Sequence, residues 1–239
     1  MRLDVMTVPG QLSPEAEAGA VVVIDVFRAT TTIVTALANG ARFVLPAADV
    51  EQAIRLYEPY DDSEAILGGE REGVKIQGFH LGNSPAEYSP ERVSDRVVVF
   101  TTTNGTKALI TCRNAEKVFL GCFLNLSRLA EQLRSEQTVT VVCAGANGGM
   151  SLEDMVCAGG IVAKLAPKAG DLSDSAMAAR LLFRSVRTRL AEFLYSSGHA
   201  RELARLGFKS DIEQALRLDS VPVLPHFSEN RVRLGAEPS

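Results

Sequence analysis

Long apolar stretches are missing from this 239-residue sequence. Its longest apolar runs, such as Ala20 to Ile24, have the length of a β-strand, well short of the roughly 20 residues a membrane-spanning helix needs. The opening Met1-Arg2-Leu3-Asp4-Val5 carries an early acid and soon reaches Pro9-Gly10, which does not read as a signal peptide. Positive charge is not in excess: 25 Lys and Arg against 29 Asp and Glu give a net charge of −4, so neither nucleic acid nor an anionic membrane is an expected partner. Cys112, Cys122, Cys143 and Cys157 form no C-x-x-C pair, and a chain of this size needs no disulfide staples. Reduced thiols in a cytoplasmic protein are the expectation. His80, His199 and His226 lie far apart without zinc spacing.

Several phosphate-handling motifs are absent as well. No G-x-x-x-x-G-K-[ST] loop exists, and no G-x-G-x-x-G follows a strand. Asp25-Val26-Phe27 lacks the second acid of a D-x-D nucleophile. Six positions beyond Cys143 stands Gly149, not the arginine of a tyrosine-phosphatase loop, which leaves Cys143 as a buried structural thiol.

What is present is an alternation of short β-branched runs with helix-like segments. Strands are expected at Val21 to Ile24, Phe43 to Leu45, Ala65 to Leu67, Arg96 to Phe100, Val118 to Leu120 and Thr138 to Cys143, with Leu3 to Val8 as a further candidate. Helices are expected near Thr31 to Asn39, Val50 to Tyr57, Leu126 to Arg134, Ser151 to Leu165, Ser173 to Tyr195 and Ala200 to Leu206. Strands apolar on both faces, alternating with helices, predict an α/β protein: a three-layer α/β/α arrangement with a mixed, largely parallel sheet. With no linker or low-complexity segment, residues 1–239 read as a single domain.

The polar residues are concentrated just past the strands. Asp25 and Arg28 follow the first strong strand, and Glu70-Arg71 follow Gly68-Gly69. Thr101, Thr102, Thr103, Asn104 and Gly105 follow another strand, and Ala144 to Gly149, with Asn147, follow a fourth. In open α/β sheets the carboxyl ends of the strands host ligands. A buried carboxylate at Asp25 calls for a metal ion or an arginine partner such as Arg28. Three threonines before Asn-Gly suit an anion-binding turn, although an ordinary helix cap uses the same residues. Asn83, Ser84 and Asn147 supply comparable neutral donors, while Arg28 and Arg71 could contribute the cationic half of an anion site. For Asp154, three residues after Ser151, a capping box competes with a metal-binding role, and Asp174 near the next helix start poses the same choice.

These segments also carry a family resemblance. Val23-Ile24-Asp25-Val26-Phe27-Arg28-Ala29-Thr30-Thr31-Thr32, Gly69-Glu70-Arg71, Gly78 to Pro85, Thr101 to Thr106, Cys143 to Gly148, Ser151 to Asp154 and Asp174-Ser175-Ala176 resemble the motifs of 2-phosphosulfolactate phosphatases, over about Asp4 to Val223. The resemblance implies an α/β/α fold and a Mg²⁺-dependent phosphatase that hydrolyses 2-phospho-3-sulfolactate, a small anionic substrate, to 3-sulfolactate and phosphate on the way to coenzyme M. On that reading Asp25, Arg28, Glu70 and Arg71 are catalytic. Asp25, Glu70, Asp154 and Asp174 are the candidate metal ligands. Asn83, Ser84, Thr101, Thr102, Thr103, Asn104, Gly105 and Asn147 are the candidate substrate contacts. His80 and Ser175 depart from the family pattern, each where an acid is expected. The alternatives are a phosphatase for another small phosphorylated acid and a non-catalytic binder of small sulfonated or phosphorylated acids. Self-association into a homo-oligomer is left open.

Overall fold

A computed structural model describes residues 1–165 and 168–235. Among the described residues ten strands form one mixed sheet: β1 (Arg2–Met6), β2 (Ala20–Ile24), β3 (Phe43–Pro46), β4 (Ala65–Arg71), β5 (Val74–Lys75), β6 (Val97–Thr101), β7 (Lys117–Gly121), β8 (Thr138–Cys143), β9 (Pro225–Ser228) and β10 (Arg231–Leu234). Their order is β1-β8-β2-β7-β9-β10-β3-β6-β4-β5. The α-helices are α1 (Pro14–Glu17), α2 (Ala29–Ala38), α3 (Val50–Tyr57), α4 (Pro90–Val93), α5 (Gly105–Thr111), α6 (Leu126–Leu133), α7 (Leu152–Leu165), α8 (Asp174–Val186), α9 (Leu190–Tyr195), α10 (Gly198–Arg205) and α11 (Lys209–Ala215).

Alternation along the strands places helices on both faces of the sheet. In β2, Ala20, Val22 and Ile24 join a core with residues of α6, α7 and α8. Val21 and Val23 point the other way, into a core with residues of α2 and α5. In β4, Ile66 joins that second core, while Ala65 and Leu67 pack with Ala53 of α3. Each fully buried valine here is worth roughly 1.5–3 kcal/mol relative to exposure. This is the three-layer α/β/α arrangement with a mixed sheet that the sequence predicts.

The sheet departs from a simple open parallel one. Strands β1, β8, β2 and β7 are parallel, as are β3, β6 and β4. The β9–β10 hairpin joins the two groups through antiparallel pairings on both sides, so the mixed character comes from the C-terminal hairpin and β5, whereas β1 is a parallel strand. Residues past the carboxyl ends of both groups still meet around one cavity, which a twist of roughly 20–25° accumulating per strand pair permits.

Helix α2 is buried from Ala29 to Leu37, and its four threonines are compatible with that because each hydroxyl donates to a backbone carbonyl. Thr30 serves Asp25 O and Gly121 O, Thr31 serves Val26 O, Thr32 serves Asn83 O, and Thr35 serves Thr31 O. The helix expected from Ser173 to Tyr195 is instead broken by a 3₁₀ turn at Arg187–Arg189, and Val186 and Leu190 on either side of it both enter the core. All four cysteines are buried and free. Among the described residues no helix is long and apolar enough to cross a membrane.

Candidate active site

A cavity of about 920 Å³ opens where β2, β4, β6 and β8 end, roofed by the start of α10. Asp25, Arg28, Glu70, Asn83, Thr103, Asn104 and Asn147 all line it, so residues far apart in sequence are brought together as expected. Glu72, Glu153, His199 and Glu202 line it too.

Asp25 is the best placed of the acids. It leaves β2 and is 8% exposed. Its Oδ1 accepts the Ala29 N–H at 3.2 Å, while Oδ2 lies against Gly105. A Cβ on Gly105 would come within 2.6 Å of that oxygen and 2.4 Å of the Ala29 Cβ, so glycine is required for α5 to approach this closely. Burial pushes the Asp25 carboxyl up to about 6; His199 and the Ala29 amide oppose the rise, and Glu70 and Glu153 add to it.

The other predicted metal ligands are differently engaged. Glu70 accepts the Thr103 N–H on Oε1 and the Gly73 N–H on Oε2, both at 2.8 Å, with the Thr103 hydroxyl adding a 3.2 Å bond. It pins two turns to the cavity wall. Asp154 accepts the Val26 N–H at 2.8 Å and the Gly145 N–H at 3.2 Å, tying the ends of β2 and β8 together. Burial, with Asp25 and Glu153 nearby, holds its carboxyl well above the usual range despite these amides. The expected capping box is half formed: Asp154 N–H donates to Ser151 Oγ at 3.3 Å, but the carboxylate turns to the strand ends instead of returning to Ser151. Asp174 is misplaced as a ligand of this site. It is exposed in the first turn of α8, whose preceding Ser173 donates to Leu3 O beside the amino end of β1, and it does not line the cavity.

The arginines and threonines differ most from expectation. Arg28 lines the cavity, but its guanidinium is committed: Nη1 pairs with Asp211 at 2.7 Å, Nη2 donates to Gly73 O at 2.7 Å, and the plane lies 4.1 Å from the Phe208 ring centroid. Ser84 does not line the cavity and donates to the other Asp211 oxygen at 2.7 Å. Arg71 also lies off the cavity wall, held by Glu70 O and Thr101 Oγ1. Thr102 and Thr106 cap each other reciprocally at the start of α5, at 3.1 and 3.2 Å. The Thr101–Thr106 run is therefore mainly scaffolding, with Thr103 and Asn104 reaching the wall. Asn83 is 5% exposed, and among the described residues its buried Oδ1 has no partner, an acceptor that a bound ligand or water can satisfy. Asn147, exposed at φ 52°, occupies an Asn-Gly turn whose flanking Ala146 and Gly149 exchange backbone hydrogen bonds at 2.9 Å.

Sequence reasoning missed two participants, His199 and Asp211, and left Glu153 as a helix-start acid. His199 Nδ1 lies 2.8 Å from Glu153 Oε1, and its ring stands edge-on to Phe27 at 6.1 Å. Burial alone pushes the imidazole down, but the Glu153 hydrogen bond and the charges of Glu153 and Asp25 carry it above the ordinary histidine value. Asp211, 1% exposed, anchors Arg28. Ser197 capping α10 marks the helix that delivers His199, but nothing in that signal pairs it with Glu153. His80 accepts the Leu67 N–H at 2.9 Å, and Ser175 donates to Asp4, so both departures from the family pattern lie off the cavity.

A family model described as 2-phosphosulpholactate phosphatase matches residues 6–230. A probable 2-phosphosulfolactate phosphatase of Pseudothermotoga lettingae is 44% identical over 230 residues, covering 96% of this chain and 97% of that protein. One of Thermotoga maritima is 44% identical over 223 residues, covering 93% of this chain and 94% of that protein. A more distant one, of Clostridium botulinum, keeps 33% identity over 97% of this chain and 99% of its own length. Matches of this extent include every strand end that feeds the cavity, and the chain belongs to the 2-phosphosulfolactate phosphatase family.

Proposed function

We propose that the chain is a Mg²⁺-dependent phosphoric monoester hydrolase that cleaves 2-phospho-3-sulfolactate to 3-sulfolactate and phosphate, a step toward coenzyme M. The observation that supports this most directly is the charge of the cavity. Asp25, Glu70, Glu72, Glu153 and Glu202 line it, against one already paired guanidinium, Arg28, and the imidazole of His199. A multiply charged anionic ester is repelled by such a wall unless a cation accompanies it.

The donor set fits Mg²⁺. Among the described residues no three His, Cys, Asp or Glu side chains form a closed metal cage. Mg²⁺ does not need one, since it commonly takes one or two carboxylates together with water and substrate phosphate oxygens. Asp25 would hold it, having a raised pKa that a cation relieves and an oxygen facing the Gly105 turn. When bound, the ion supplies compensation for charge on the phosphoryl oxygens. Asn83, Asn104 and Asn147 offer neutral polar groups to the ester, while Glu70 and Asp154 hold the surrounding turns in place. Arg28 is already paired with Asp211, and Arg71, held by Glu70 O and Thr101 Oγ1, lies off the cavity wall.

A panel of small phosphorylated acids assayed with Mg²⁺ tests the substrate. The expected result is phosphate release from phosphosulfolactate, the substrate named for the relatives. Inert phosphosulfolactate beside rapid turnover of another ester would show that the substrate named for the relatives does not transfer.

A further inference from the structure

We propose that His199 is the general acid of this reaction, passing a proton from Nε2 to the ester oxygen as that oxygen leaves phosphorus, with Glu153 as its positioning residue. The inference rests on the phosphatase reading above. Its foundation is geometric. His199 lines the same cavity as Asp25, and its Nδ1 is held by a carboxylate only 1% exposed. A histidine whose Nδ1–H is anchored on a carboxylate is fixed in tautomer and orientation, and its Nε2 is the nitrogen left for chemistry. Among the described residues no hydrogen bond engages that Nε2. Phe27 backs the ring from one side.

The charged groups around the imidazole are Glu153 from α7, Asp25 from the end of β2, Arg28 from the start of α2, and Glu202 from its own helix α10. Glu153 and Glu202 favour the protonated ring, while Asp25 is the group that would hold the Mg²⁺ and is not counted with them. In the step itself, the bond from phosphorus to the ester oxygen breaks. Its electron pair goes to that oxygen, which takes the Nε2 proton. Water forms the new bond to phosphorus, and the proton it releases restores the imidazolium. The products are alcohol and phosphate, and the protein ends as it began.

A merely structural His199–Glu153 contact would leave leaving-group dependence unaltered, so that dependence is the test. His199→Gln and Glu153→Gln are assayed with Mg²⁺ on phosphosulfolactate, whose alkoxide needs a proton, and on 4-nitrophenyl phosphate, whose phenolate does not. For His199→Gln, kcat on phosphosulfolactate falls by at least about 100-fold, in the range for a general acid. The loss on the aryl ester is smaller by at least about tenfold. Glu153→Gln, which keeps a hydrogen-bond acceptor without the charge, shows the same selectivity in weaker form, and it decides the matter if His199→Gln does not fold. Equal losses on both esters, or loss under about threefold on phosphosulfolactate, overturn the proposal. If the wild-type protein refuses the aryl ester, the ¹⁸O isotope effect at the bridging oxygen takes its place: a larger effect in the variant supports His199, and an unchanged one overturns it. Wild-type protein that releases phosphate from neither ester overturns the phosphatase reading itself, and with it the role of His199.

Discussion

Neutralising Asp25 should make the metal-free protein more stable while disabling it. The carboxyl stands at about 6 in the folded chain against 3.8 for an unperturbed aspartate. A folded pKa above the unfolded one means the native state binds the proton more tightly. Stability is then greatest at low pH and falls as pH rises through the window from 3.8 to about 6. A shift of about two units corresponds to about 3 kcal/mol lost by pH 8. Asn keeps an acceptor for the Ala29 N–H and carries no charge to desolvate. Asp25→Asn in excess chelator should therefore gain about 3 kcal/mol at pH 8, which is a rise in Tm of roughly 6–12 °C for a chain of this size. The gain should shrink toward pH 4, where the folded carboxyl is protonated and the unfolded one is close to its own midpoint. Urea or thermal denaturation at pH 4, 6 and 8 measures it. Added Mg²⁺ should stabilise the wild type and leave the variant unmoved. A variant no more stable than wild type at pH 8, or a gain independent of pH, would show that the Asp25 carboxylate carries no burial cost.

Gly105→Ala should lower phosphate release at least about tenfold, because the new methyl displaces the Asp25 Oδ2 it would otherwise meet at 2.6 Å; unchanged kcat would show the approach to be dispensable. Asp211→Asn should destabilise the fold by about 3–5 kcal/mol in urea titration, since it leaves the Arg28 charge buried without its partner; a cost under about 1 kcal/mol would contradict the buried pair. Thr102→Val should cost about 1 kcal/mol by removing one side of the reciprocal cap on α5, and a neutral result would free Thr102 for a ligand role.

The sequence was most legible where one local rule decided the outcome. Val50–Tyr57 and Thr138–Cys143 have the expected bounds, because an Asp49 cap and an uninterrupted β-branched run define them. The cavity was anticipated from the strand-end positions of Asp25, Glu70, Thr103 and Asn147. The C-terminal hairpin was not, because Glu229 and Asn230 at φ 51° and 58° form a tight turn without the glycine that advertises one. Partner choice was the least legible. Arg28 finds Asp211, 183 residues away, and Glu153 finds His199, 46 residues away, and no local pattern encodes either pair. Asp174 and Asp154 look alike in sequence as acids at helix starts, yet one is exposed beside β1 and the other is buried against Val26 and Gly145.

The most direct measurement is phosphate release from 2-phospho-3-sulfolactate by the wild-type chain and by folded Asp25→Asn, each with Mg²⁺ and with excess chelator. The wild type should release phosphate with Mg²⁺, stop in chelator and recover when Mg²⁺ is restored. Asp25→Asn should lose at least about two orders of magnitude, the scale for removing a stabilising group. Full activity in chelator, or normal turnover by Asp25→Asn, would contradict a Mg²⁺ site at Asp25.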